Sequence, residues 1–219
     1  EDVVSRSADG TVVVPPLLNS AIGQVFTDNQ INEFVTMVNQ GNTGLYGLQL
    51  TTDGQVFAIG ALGVSTGQDV RVFSTAVGSS ILFSDTVDVA GSLTVRGTVV
   101  DLTFASTTTV ANDASLIIRP NEDEVTPPVS TVVFSNDVTL ELQSELRIAG
   151  TTGSVAFDGR LTVRQDATVT MLVIANAVTF VGTVDMGGSS CAFEGSITTL
   201  AFPGSLQISH GSTVTVVST

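Results

Sequence analysis

The chain has 219 residues, enough for one elongated domain, and carries 21 acidic side chains against 7 basic ones for a net charge of −14. That balance argues against nucleic acid and anionic membranes as partners, since their binders present basic patches. Mean hydropathy is high at +0.42, yet no run approaches the roughly 20 apolar residues of a membrane helix, so the apolarity must line an interior.

Residues 1–26 read as an extended N-terminal arm. Pro15 and Pro16 interrupt Val12-Val13-Val14 and Leu17-Leu18, and prolines confine such a segment to a sheet edge. The apolar side chains of Val12, Val13, Val14, Leu17 and Leu18 need a covering surface, on this body or on a neighbour. Residues 27–55 read as a capping helix with its lead-in. Thr27 and Gln30 have capping-box spacing, Ile31, Phe34, Val35 and Val38 share one helical face, and Gly41 supplies a stop. Such a helix would cover the open strand edges of the first coil behind it.

From residue 56 to 219 a repeat takes over. An apolar residue, any residue, then Phe recurs at Ile81-Leu82-Phe83, Leu102-Thr103-Phe104, Val132-Val133-Phe134, Val155-Ala156-Phe157, Val178-Thr179-Phe180 and Leu200-Ala201-Phe202. After each Phe comes a second inward pair, such as Val138 and Leu140 or Val184 and Met186, and then a third, such as Leu146 and Ile148. Thr108 beside Val110 fills the same slot after Phe104. Residues two apart point to one side of a strand, so each repeat is three short strands with two inward side chains apiece.

The step from the last inward residue of one repeat to the next motif is seven residues, as from Ile148 to Val155 and from Met171 to Val178. The exception, Ile118 to Val132, contains the proline-bounded acidic stretch from Pro120 to Pro128. A β-sandwich has no reason to keep such a step. The pattern predicts an all-β parallel β-helix (β-solenoid) of about seven three-stranded coils behind a capping helix. A looser first coil starts at Phe57, which would make seven stacked Phe.

On residues 56–217 the rung pattern resembles single-stranded parallel β-helix proteins, among them autotransporter passengers, phage and surface fibres, and pectate-lyase-like scaffolds. The resemblance rests on rungs alone and carries over no catalytic residues.

Function is read from the outward positions. The wall of Leu82, Thr103, Val133, Ala156, Thr179 and Ala201 is small-residued and nearly uncharged, which suits a contact surface. Val214 and Val216 finish the final repeat, where unpaired strand edges invite another chain. With the N-terminal Val and Leu residues, these make the candidate assembly interface. The expectation is a non-catalytic structural protein, extracellular or on a particle surface, self-associating into a filament, fibre or layer. Other surface components or glycans are further partners, and a carbohydrate- or ice-contacting module is the alternative.

An enzyme ranks third. Asp88 and Asp185 fall four coils apart, His210 is the sole His, and Cys191 alternates inward with Phe193. Asp85, Asp137 and Asp158 read as turn formers before calcium ligands. No cofactor is expected.

Overall fold

The computed structural model describes residues 11–14, 25–26, 29–51, 53–76, 78–120, 131–209 and 211–218. Strands β1 (Thr11–Val14) and β2 (Val25–Phe26) precede helix α1 (Asn29–Asn39) and β3 (Gly44–Leu50). Coil one is β4 (Val56–Ile59), β5 (Leu62–Val64) and β6 (Gln68–Ser74). Coil two is β7 (Ser80–Phe83), β8 (Val87–Val89) and β9 (Ser92–Gly97), and coil three is β10 (Asp101–Phe104), β11 (Thr108–Val110) and β12 (Ser115–Pro120). Coil four opens with β13 (Thr131–Phe134) and β14 (Val138–Leu140), and β15 (Glu145–Phe157) runs from its third side into coil five. Next come β16 (Leu161–Val163), β17 (Thr168–Phe180), β18 (Val184–Met186) and β19 (Ser190–Gly195). Coil seven is β20 (Ile197–Ala201), β21 (Leu206–Ile208) and β22 (Thr213–Ser218).

Among the described residues the strands pair in parallel, and the 7-stranded sheet β21-β18-β16-β14-β11-β8-β5 counts one strand per coil. We call this wall two. Wall one begins with β2 and β4 and ends with β20, while wall three begins with β1 and β3 and ends with β22. β15 and β17 turn the corner from wall three to wall one without a break, which joins those walls into a single 15-stranded sheet. The expected β-solenoid is therefore the observed fold.

Inside, Phe83, Phe104, Phe134, Phe157 and Phe180 stack with ring centroids 4.6–4.9 Å apart and planes within 12° of parallel. Phe202 continues the pile at 4.9 Å. That distance is the strand spacing, so parallel pairing itself sets the rings face to face.

Phe57 is the correction. It pairs with Ile81, and Ile59 is the residue opposite Phe83, so the pile holds six rings and starts at Phe83. The cause is turn length: Gly60-Ala61 separates β4 from β5, whereas Ser84-Asp85-Thr86 separates β7 from β8. Both positions face inward, so a shift of two residues leaves the core apolar. Thr108 points inward as expected, between Val87 and Val138, and its buried hydroxyl has no hydrogen-bond partner.

The corner between walls two and three repeats one device. Gln68, Ala114, Ser144, Ala167 and Ser212 each return a backbone N–H to the carbonyl three residues earlier. The residue before each, where described, is left-handed: Gly67 (φ 81°), Asp113 (59°), Gln143 (58°), Asp166 (58°) and Gly211 (86°). At the opposite corner the coils close so tightly that a Cβ on Gly182 would lie 2.1 Å from the Gly159 carbonyl oxygen.

Helix α1 buries Ile31, Phe34 and Val38, while Val35 is half-buried at the margin of that face. It lies between β2 on wall one and β3 on wall three, in the place of a wall-two strand, and packs against β5. Gly41 ends it with φ 75°. Thr27 of the expected capping box lies outside the described residues. β1 pairs along the outer side of β3, with Val12 opposite Leu48, which is the edge position the prolines demanded.

Candidate functional site

The wall-one residues read from the sequence form one column. Leu82, Thr103, Val133, Ala156, Thr179 and Ala201 are successive register partners, with Ala58 beneath them. All six are half-buried against their neighbours above and below. Asp101 is the only charged side chain among the described outward positions of this wall. Its carboxylate accepts hydrogen bonds from the Thr131 and Ser80 hydroxyls, one coil above and one below, so even this charge is spent along the wall.

Coil seven differs from every coil beneath it. In coil six the inward residues Val184, Met186, Cys191 and Phe193 are at most 3% exposed. Their partners in coil seven are Leu206, Ile208, Val214 and Val216. Leu206 is 38% exposed, Ile208 52% and Val216 59%, and Val214 is half-buried. Phe202 lies on Phe180 with one ring face and meets no further ring above. Ile174 on β17 and Val181 just after it, at the two margins of wall one, are exposed as well. The outcome is an apolar end plane with unpaired strand edges, continuous with the upper part of wall one.

Sequence reasoning placed Val214 and Val216 in this surface but missed Leu206, Ile208, Ile174 and Val181. The first two carried a signal, as inward residues of the final repeat. The last two sit at corners, where alternation gives no guide. Val12, Val13 and Val14 lie in β1, whose backbone alone is described; Leu17 and Leu18 lie outside the described residues, as does His210.

Other groupings have little chemistry to offer. Asp88 and Asp185 are linked by four register steps on wall two, about 19 Å at the strand spacing. Asp185 shares a surface depression of about 630 Å³ with Glu141 and Arg164, where the latter two form a 3.0 Å ion pair. Asp85 accepts from the Thr86 N–H and Asp137 from the Arg160 N–H, so these carboxylates serve the turns. Among the described residues no group of three or more His, Cys, Asp or Glu could hold a metal ion. Burial pushes the Cys191 thiol up to about 12, far from the thiolate a nucleophile needs. No described helix is long and apolar enough to cross a membrane. No protein-family model matches this chain, nor does any curated protein or solved structure.

Proposed function

We propose that this is a non-catalytic structural protein of an extracellular or particle surface, and that its solenoid self-associates through wall one. The observation that supports it most is the column from Leu82 to Ala201, flat, small-residued and in register over six coils, with the exposed Ile174 and Val181 at its margins. Fully burying an apolar side chain is worth about 1.5–3 kcal/mol, and a nearly uncharged wall costs little to desolvate.

A wall that stays flat over six coils can meet the same wall of a second copy, an isologous contact that closes as a dimer, or a different face of the next copy, a contact that extends into a fibre or layer.

Light scattering over a wide concentration range tests the reading. The expected result is a dimer or larger particle that falls to monomer in Val133→Asp, with the circular dichroism of the fold retained. A wild-type monomer at every concentration would overturn it.

A further inference from the structure

Wall three holds the one concentration of positive charge described in this acidic chain. Of the 7 arginines, Arg71, Arg96, Arg119 and Arg147 project outward from β6, β9, β12 and β15, one from each of four consecutive coils. The carboxylates facing outward from the same wall segments are Asp69 and Glu145. Arg96 and Arg119 are direct register partners. Arg71 and Arg147 share the neighbouring column, with Thr94 and Ile117 between them. At the strand spacing the four span about 14 Å along the axis.

Arg96 and Arg71 are held in ways that leave donors available. The Arg96 guanidinium lies 4.8 Å over the Phe73 ring, a contact that uses its face and leaves its N–H edge outward. Arg71 forks onto Asp69 through Nε and Nη2. Arg147 Nε is buried with no hydrogen-bond partner, so this guanidinium meets a surface ligand through its two terminal nitrogens. Arg71, Arg96 and Arg119, with Ser92, Thr94 and the Asp69 carboxylate that holds Arg71, line a depression of about 270 Å³, and the Ser92 hydroxyl accepts a hydrogen bond from that of Ser115 one coil above. Like charges one coil apart repel; an oxyanion between them turns that repulsion into charge-assisted hydrogen bonds.

We propose that wall three binds a linear acidic polysaccharide, carboxylate- or sulfate-bearing, laid along the solenoid axis. A single small anion meets one or two of these guanidinium groups, whereas a chain with repeated charges meets all four. The hydroxyls of Ser92, Thr94 and Ser115, with those of Thr168 and Thr170 beyond Glu145 and Arg147 in the same two columns, match a ligand rich in hydroxyls better than a peptide carrying carboxylates on methylene stems. The net charge of −14 does not forbid this, because salt screens distant charges beyond about 8–10 Å. The site is separate from the wall-one column and does not depend on self-association.

The test uses the full chain on immobilised heparin and on immobilised polygalacturonate at low ionic strength, with polyglutamate and single-stranded DNA as soluble competitors. Retention on either glycan supports the proposal, and the two resins tell sulfate from carboxylate. R71A/R96A should bind about tenfold or more weakly, while the charge-matched control R160A/R164A, on turn arginines, should bind as wild type. If R71A/R96A loses its fold by circular dichroism, Arg147→Ala alone takes its place with the same expected direction. The proposal fails if wild type is not retained, if both double variants weaken equally, or if polyglutamate or DNA competes as well as the free glycan.

Discussion

Asp113, Gln143 and Asp166 hold backbone angles that Gly67 and Gly211 hold at the same turn position. A Cβ makes the left-handed region costly, and only Asn and Asp soften that cost with short polar side chains. Gln143 has no such help, and its side chain is exposed. Gln143→Gly is therefore expected to raise stability by about 1 kcal/mol, against the ordinary penalty for adding glycine. Urea unfolding measures it; a loss would mean that the Gln143 side chain makes a contribution the turn geometry hides. The residue scale also shows how local the sequence signal was. Thr108 could be read as inward from its alternation with Val110, but nothing in the sequence said its hydroxyl would lack a partner.

Helix α1 owes its position to two side-chain amides. Asn39 accepts from the Gly63 N–H at 2.7 Å and donates to the Ala61 carbonyl at 2.9 Å, so its amide pairs with β5 as the next strand's peptide group would. Gln68, buried in the core, donates to the Val38 and Asn42 carbonyls and accepts from the Ser65 N–H. Gln68→Leu leaves those groups without partners and is expected to cost about 2 kcal/mol or more. Hydrogen exchange should then rise in α1 before it rises in the walls; equal protection would show that apolar packing alone holds the helix. The helix was legible from its single apolar face. Its role as the wall-two segment of a coil was not, because β2 contributes only two residues and β3 carries no Phe motif. Phe57 misled for a related reason, since period two cannot tell a register from one shifted by two. The wall-one column was legible because alternation defines it. The arginine wall was not, because register alone brings together residues from four separate strands.

Across the whole molecule, each coil contacts chiefly its neighbours, so stability is close to a sum of coil and interface terms. Phe134 is stacked on both faces, at 4.7 Å from Phe104 and 4.7 Å from Phe157, whereas Phe202 is stacked on one. Phe134→Ala is expected to cost about 3–5 kcal/mol, and Phe202→Ala roughly half as much or less. Equal costs in denaturant titrations would mean that the end ring is covered in solution, which is itself a signature of association. One seam in the tube has a further consequence. Ten residues, 121–130, separate β12 from β13 where three separate β9 from β10, yet Asp101 through Phe104 remain matched to Thr131 through Phe134 without slippage. The scaffold therefore tolerates foreign sequence at that corner: a grafted epitope, tag or enzyme could be displayed there at regular intervals along any assembly the protein builds, with the load-carrying walls left untouched.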